Sequence, residues 1–180
     1  MKKYELTEET KTLAGGAALH RIRTLMDIPR HGVKAGELGG FVEGENNLSQ
    51  DGNAWVSGDA EVYGDAWVSS NAKVSDKAEV SGNAKVYGNA KVSGNAEVRG
   101  DAKVSANSDY MVIKNIWSSG RWFTYTRSNR MWKVGCFYGT GEELVKKAYA
   151  DSELSGKCYE AIVRAVETIE AAKAEVEEKK

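Results

Sequence analysis

The sequence contains little proline, histidine and cysteine. Among 180 residues there is one proline, Pro29, against 19 glycines. A proline-poor chain with evenly spaced glycines is not a flexible linker, and such glycines are typical of turns. The two cysteines, Cys136 and Cys158, form no CxxC motif and no disulfide framework. We therefore expect free thiols and a reducing compartment.

Charge and hydropathy exclude further classes of protein. The chain has 25 lysine and arginine residues against 26 aspartate and glutamate residues, which gives no general field for nucleic acid or anionic lipid. No apolar run approaches the length of about 18 residues that a membrane-spanning helix needs, and the start, MKKYELTEET, has no apolar signal segment. We predict a cytoplasmic protein without membrane binding or general nucleic-acid binding.

A six-residue phrase dominates the middle of the chain, as in VSGNAKVYGNAKVSGNAEV at residues 80–98. Valine recurs at every sixth position from Val56 to Val104, and alanine keeps the same step from Ala54 to Ala102. A period of six gives no fixed helix face, but it suits a short strand followed by a tight turn. So short a unit must stack on its neighbours to bury its apolar face. The repeat predicts a β-solenoid.

The residues that precede the valines sort into three columns when they are compared every third repeat. The columns are Trp55, Lys73 and Lys91; Glu61, Glu79 and Glu97; and Trp67, Lys85 and Lys103. This sorting indicates three repeats per coil with these side chains outward. The glutamate column is either a solvated face with screened repulsion or part of a three-fold interface that places glutamates against the lysines of another copy. We favour the interface, with Trp55 and Trp67 as its apolar anchors.

The array resembles the hexapeptide-repeat family, whose aliphatic position valine matches and whose small-residue position alanine matches. The resemblance implies a left-handed parallel β-helix of triangular section and a homotrimer. Enzymes of that family use a histidine as general base or hold a metal on three histidines. This chain has only His20 and His31, both before the array. We therefore expect no catalytic residue, no metal site and no cofactor.

Non-repetitive segments flank the array, and the whole predicts a mainly β protein in three parts. These are an N-terminal β cap (1–41), the hexapeptide-repeat β-helix (42–108), and a C-terminal β-meander with two helices (109–180). Within the last part, the predicted elements are strands at 110–117, 121–127 and 130–138 and helices at about 140–150 and 154–178.

The second predicted helix carries an apolar stripe with heptad-like spacing. Its members are Cys158, Ile162, Ala165, Ile169, Ala172 and Val176. This stripe either packs on the meander or joins three copies of the chain. We favour packing on the meander, because the stripe is short and contains two alanines.

The meander also combines aromatic and basic side chains. The candidate ligand-binding residues are Trp122, Tyr125, Arg127, Arg130, Trp132 and Lys133. Flat rings beside guanidinium and ammonium groups suit a stacked base and a phosphate. The competing interpretation is a sheet with its aromatic rings in the core and its charges in solvent, and alternation along the strands favours it for some of the rings.

A wider resemblance covers nearly the whole chain. The segments LHRIRTLMD, VKAGELGGFVE and IKNIWSSGRWFTYTRSNRMWKVGCFYGTGEEL are similar to proteins of bacteriophages and prophages. The resemblance implies a small accessory protein in the cytoplasm of the host bacterium. The leading hypothesis is a non-catalytic homotrimer that sequesters a small nucleotide signal or binds a host defence protein. The alternatives are a structural or assembly spacer of a phage, and an unrecognised enzyme, acyltransferase-like or nucleotide-cleaving, with a site at a subunit boundary.

Overall fold

The computed structural model describes residues 1–177, and the chain divides into two compact units. Residues 1–112 and 124–129 form the first, which we call the solenoid unit. Residues 113–123 and those from 130 onward form the second, which we call the C-terminal unit. The fold is mainly β, as predicted. It comprises a parallel β-solenoid, an antiparallel C-terminal sheet and α-helices.

The solenoid unit begins with its longer strands, which are β1 (Tyr4–Thr12), β2 (Ala18–Thr24) and β3 (Leu38–Val42). Two-residue strands follow, one for each valine of the array. They are β4 (Trp55–Val56), β5 (Glu61–Val62), β6 (Trp67–Val68), β7 (Lys73–Val74), β8 (Glu79–Val80), β9 (Lys85–Val86), β10 (Lys91–Val92), β11 (Glu97–Val98) and β12 (Lys103–Val104).

Strands of successive coils pair in parallel, and their register confirms three repeats per coil. The pairing produces the columns Trp55–Lys73–Lys91, Glu61–Glu79–Glu97 and Trp67–Lys85–Lys103. We name the three sides of the solenoid after these columns: the Trp55 face, the glutamate face and the Trp67 face. Side-chain ladders at the corners keep the same interval, since Asn53 Nδ2 donates to Asn71 Oδ1 at 2.7 Å, 18 residues further along.

Glycine forms many corners of the coil because the backbone there is left-handed. Gly82 has a φ of 68° and Gly94 a φ of 70°, a region in which a residue with a Cβ is strained. A Cβ added at Gly82 would lie 3.0 Å from the amide nitrogen of Gly100 in the next coil. Ser70 and Asp76 adopt the same conformation with φ of 60° and 63°. The predicted tight turns are therefore confirmed.

The core of the solenoid unit is a stack of small apolar side chains. Every repeat valine from Val56 to Val104 and every repeat alanine from Ala54 to Ala102 is 0 % exposed. Burying a valine stabilises the folded state by about 1.5–3 kcal/mol. The outward side chains of each coil are held in position by this core.

The N-terminal cap extends the sheet of the glutamate face. β1 pairs antiparallel with β2 and β2 with β3, while β3 pairs in parallel with β5. Tyr4 is fully buried against the solenoid core, and its hydroxyl donates to the carbonyl of Leu48 at 2.7 Å. Lys3 Nζ donates to the carbonyl of Ala54 at 2.8 Å. The cap thus covers the end of the first coil, as a solenoid requires.

The segment from Ile28 to Val33 lies on the Trp55 face. Ile28 and Val33 form a β-bridge and belong to the same buried core cluster as Trp55. Trp55 is 1 % exposed. The prediction that Trp55 is an exposed anchor between copies is therefore wrong, because Ile22 and Gly39 in the cap of its own chain lie against this ring.

The C-terminal strands pair in chain order: β13 (Tyr110–Lys114), β14 (Trp122–Thr126), β15 (Met131–Val134) and β16 (Phe137–Gly139). The strands predicted at 110–117 and 121–127 are shorter than expected. The strand predicted at 130–138 is instead the hairpin β15–β16, because the chain turns at Gly135 with a φ of 54°.

The helices are α1 (Gly141–Asp151) and α2 (Glu153–Glu177), and the predicted end at residue 178 lies outside the described residues. Thr140 caps α1 by accepting from the amide of Glu143 at 3.3 Å, which confirms the predicted capping box. No helix within the described part of the chain is long and apolar enough to cross a membrane.

The buried face of α2 differs from the predicted one. Its buried residues are Gly156, Tyr159, Val163 and Val166, and the Tyr159 ring packs edge-on against Phe123 of β14 at 4.7 Å between centroids. The predicted stripe lies on another side, where Ile169 and Val176 are 44 and 57 % exposed. The prediction is therefore wrong for the exposed Ile169 and Val176, whereas the first half of the stripe, Cys158, Ile162 and Ala165, lines a groove beside Ile113 of β13.

Candidate functional site

Half of the predicted ligand-binding residues are buried. Tyr125, Trp132 and Lys133 are 6, 2 and 7 % exposed. The Trp132 ring packs edge-on against Phe123 with 6.3 Å between centroids, and Lys133 Nζ donates to the carbonyl of Gly135. These side chains fill the interior of their units and do not present rings or charge to a ligand.

The other predicted ligand-binding residues are more open but are divided between the units. Trp122 and Arg130 are exposed in the C-terminal unit, and Lys114 Nζ lies 5.3 Å from the Trp122 ring centroid. Arg127 belongs to the solenoid unit, where it is half-buried and its amide donates to the carbonyl of Asp109 at 2.9 Å. The six residues are therefore not brought together on one open aromatic and basic surface.

Each glutamate of the column has an ion pair within the chain. Lys11 of β1 pairs with Glu61, and the Arg99 guanidinium pairs with Glu79 and, at 3.5 Å, with Glu97. Unpaired carboxylates in coils about 4.8 Å apart would repel by about 1 kcal/mol in water and about 3 kcal/mol at an effective dielectric of 20. Because Lys11 and Arg99 relieve this repulsion, the glutamates do not need lysines from another copy.

Tyr63 completes the network on the glutamate face. Its hydroxyl donates to Glu79 and accepts from Arg99 Nη2 at 3.2 Å. Burial, followed by the hydrogen bond to Glu79, raises the pKa of Tyr63 to about 12. The phenol therefore stays protonated at neutral pH and acts as a structural donor.

The Trp67 face, by contrast, carries lysines without acidic partners. Lys85 lies between Trp67 and Lys103 in the column, and both lysines are exposed. Within residues 1–177 neither ammonium group has an ion pair or a hydrogen bond. Tyr87, two residues after Lys85, points outward as well and is 37 % exposed, while Trp67 is half-buried. This face is an open aromatic and basic surface.

A second basic cluster lies on the Trp55 face. Lys73 and Lys91 are neighbours in register, and Arg30 Nη2 donates to Asn89 Oδ1 at 2.7 Å. Burial, followed by the charges of Lys73, Arg30 and Lys91, lowers the pKa of His31. His31 Nε2 is shielded from solvent and has no hydrogen-bond partner in the described chain.

The two histidines lie in different elements of the cap, His20 in β2 and His31 at the end of the turn Pro29–His31. His20 Nδ1 lies 3.3 Å from the carbonyl oxygen of Thr7 on the neighbouring strand. No group of three or more histidine, cysteine, aspartate or glutamate residues that could hold a metal ion occurs in residues 1–177.

Comparison with protein-family models finds no match, and comparison with curated proteins finds none either.

An apolar groove of about 390 Å³ lies along α2 in the C-terminal unit. It is lined by Ile113, Trp117, Cys158, Ala161, Ile162 and Ala165. Trp117 is 64 % exposed, and three of the lining residues belong to the predicted heptad-like stripe. The groove suits another apolar surface more than a charged ligand.

Proposed function

We propose that this protein is a non-catalytic, phage-type binding protein that sequesters an anionic host molecule, a small nucleotide signal, in the host cytoplasm. The observation that carries the proposal is the imbalance between the solenoid faces. The glutamates are paired within the chain, whereas Lys85 and Lys103 are exposed beside Trp67 and Tyr87.

The spacing of the Trp67 face fits a phosphorylated ligand. Adjacent coils place Lys85 and Lys103 about 4.8 Å apart along the column, so that one phosphate group can contact both ammonium ions. Lys85 is in register with Trp67, and Tyr87 lies beside it, so that a base can stack on a ring while its phosphate meets the lysines. Stacking of one base on an aromatic ring contributes about 1–3 kcal/mol.

The biological role is proposed from the resemblance to phage and prophage proteins. A cytoplasmic binder in an infected bacterium acts by mass action, because it lowers the free concentration of a signal that a defence system needs. Such a protein needs no general base, and the imidazoles of His20 and His31 lie outside the Trp67 face.

We also propose that the protein is a homotrimer and that α2, rather than the coil faces, joins its copies. Ile169 and Val176 are exposed and follow the half-buried Ile162 at steps of seven residues, a spacing typical of helices that pack together. Lys173 and Glu175 lie on opposite edges of this stripe, so that in a ring of parallel helices the acidic edge of one copy faces the basic edge of the next.

Oligomerisation is tested by introducing charge on the outer side of α2. Ile169→Glu and Val176→Glu change exposed side chains, so we expect folded protein that sediments as a monomer. Thr168→Glu, at a neighbouring exposed position, is the matched control and should remain a trimer. A monomeric unmodified protein, or equal dissociation of all three variants, overturns the proposed seam.

Nucleotide binding is tested by a thermal-shift screen against cyclic dinucleotides, cyclic trinucleotides and ADP-ribose isomers, followed by calorimetry on any hit. Lys85→Gln and Lys103→Gln should each weaken binding about tenfold, since a hydrogen bond to a charged group contributes about 1.5–3 kcal/mol. Lys146→Gln, on the exposed side of α1, should leave affinity unchanged.

The alternatives give different outcomes in the same experiment. Failure to bind any of these nucleotides favours the spacer or a protein partner. Conversion of the ligand, detected by mass spectrometry after incubation, favours an enzyme. Binding that is equally weakened by Lys146→Gln reflects net charge and contradicts a site on the Trp67 face.

A further inference from the structure

The segment from Ile28 to Val33 brings two charged or titratable side chains to the solenoid. Its apolar ends, Ile28 and Val33, are 2 and 7 % exposed and anchor it in the solenoid core. Between them Pro29 begins a short 3-10 turn that ends at His31. Anchoring at both ends fixes the intervening Arg30 and His31 against the Trp55 face.

The corner of the solenoid that this segment contacts is also held by hydrogen bonds. Asn53, Asn71 and Asn89 form a ladder of side-chain hydrogen bonds along one corner, at 2.7 and 3.4 Å. Arg30 Nη2 extends the ladder by donating to Asn89 Oδ1 at 2.7 Å. The ladder thereby joins Arg30 to the corners at Asn89, Asn71 and Asn53. The turn is thus connected to three successive coils.

The result is a concentration of positive charge. Arg30, His31, Lys73 and Lys91 meet on the Trp55 face, and Lys73 and Lys91 are in register about 4.8 Å apart. None of these four residues has an acidic partner among residues 1–177. Like charges at this spacing repel each other, so an anion that binds among them relieves repulsion as well as gaining its own contacts.

His31 provides an independent indication of a ligand. Its Nε2 atom is shielded from solvent but has no hydrogen-bond partner within the part of the chain that the structure describes. Buried nitrogen atoms of this kind are normally paired. The cations that face the ring are Arg30 on its own turn and Lys73 and Lys91 on the solenoid, and an anion among them favours the protonated imidazole, which can donate from Nε2.

We propose that Arg30, His31, Lys73 and Lys91 form a binding site for a tetrahedral anion of the phosphate class. The lysines supply mobile point charges, Arg30 supplies a planar pair of donors, and His31 supplies the sheltered donor. The site shares no residue with the nucleotide surface on the Trp67 face and stands independently of that proposal.

Because the chain has two histidines, the imidazole signal of His31 can be observed with one other imidazole as a reference. Proton–nitrogen NMR spectra of the imidazole rings are recorded during titration with sodium sulfate, which stays doubly charged throughout, and with sodium chloride at matched ionic strength. Sulfate should shift the His31 resonances and raise the pKa of His31 by about one unit, because an anion within a few ångströms favours the charged form. His20 is the internal control and should respond equally to both salts.

Matched lysine variants identify the residues involved. Lys91→Gln should raise the sulfate dissociation constant at His31 about tenfold. Lys77→Gln removes one positive charge at an exposed turn of the solenoid and should change this constant less than twofold. Melting curves verify that both variants fold. An unchanged His31 resonance, equal effects of sulfate and chloride, or equal losses in both variants overturns the site.

A second arm identifies the source of the anion. Inorganic phosphate and AMP are titrated while the His31 resonance is followed. Tighter binding of AMP assigns the site to a nucleotide phosphate, and tighter binding of inorganic phosphate assigns it to the free ion. Because Lys85→Gln and Lys103→Gln test only the Trp67 face, loss of nucleotide binding in those variants leaves the His31 response intact, and each proposal fails separately.

Discussion

Replacing Arg99 with methionine tests how the solenoid tolerates its glutamate column. The change keeps an apolar stem but removes the cation beside Glu79 and Glu97, whose side chains are 22 and 26 % exposed. Two carboxylates about 4.8 Å apart repel by about 1 kcal/mol in water and about 3 kcal/mol at an effective dielectric of 20. We expect the free energy of unfolding to fall by about 1–3 kcal/mol at low ionic strength.

The free energy of unfolding is measured by urea denaturation, because urea is uncharged and does not change the ionic strength. The measurement is made at low salt and at about 1 M salt, where the Debye length is about 3 Å. Salt should recover much of the loss, and the double change Arg99→Met with Glu79→Gln should recover it at low salt. Arg164→Met breaks an exposed pair with Glu160 on α2 and should cost less than about 1 kcal/mol. No loss at low salt, or a loss that neither salt nor Glu79→Gln reduces, refutes this ion pairing within the chain.

Three further changes probe the fold. Gly82→Ala should destabilise by about 1–2 kcal/mol more than Gly94→Ala, because both backbones are left-handed but only the Cβ at Gly82 meets the next coil. Urea midpoints compare them, and equal losses would contradict close stacking at that corner. Val86→Asp places an unpaired carboxylate at a fully buried position and should abolish the cooperative transition in circular dichroism; a native-like melt would contradict the valine core. Burial lowers the pKa of Lys3 to about 8 from 10.5, so between these values the unfolded chain binds more protons. The free energy of unfolding should therefore rise with pH across that window, by at most about 1.4 kcal/mol per unit. Lys3→Met should lack this rise in urea titrations, and an identical pH profile in the variant would contradict the assignment.

The coil could be predicted from the sequence because its period is local. Each repeat carries its own strand, corner and inward valine, and the charge columns reveal which repeats are stacked. The position after each repeat valine is usually serine, but it is occupied by Tyr63, Tyr87 and Arg99 in three repeats. This departure from the repeat is the sequence signal from which the glutamate network and the Trp67 surface could have been predicted. The residue types alone do not show that Arg99 turns towards Glu79.

The Trp55 face could not be predicted in the same way because its cover comes from a distant segment. Ile22 and Gly39, which lie against Trp55, belong to no repeat, and Trp55 has nearly the same sequence context as Trp67. Only the tertiary structure distinguishes the buried ring from the half-buried one. Arg30 and His31 were missed as site residues for the same reason.

In the C-terminal unit, alternation along a strand and heptad spacing along a helix do not predict which side is buried, because both sides of these elements carry apolar residues. Trp122 and Trp132 both lie in strands of the C-terminal sheet, yet one is exposed and the other buried. On α2, the even spacing from Cys158 to Val176 is more regular than the stripe that contains Tyr159. The latter stripe nevertheless occupies the inner side, where its Tyr159 ring packs edge-on against Phe123.

The interval of 18 residues between stacked positions also restricts how such a gene can change in length. Gain or loss of one whole coil leaves every later side chain on its original face, so the protein grows or shrinks along its axis while its surface chemistry is preserved. Gain or loss of a single repeat keeps the valines inside but rotates all following columns by one face, which would carry Glu79 away from Arg99 or Lys103 away from Trp67. Duplications in whole coils should therefore be the ones that survive selection.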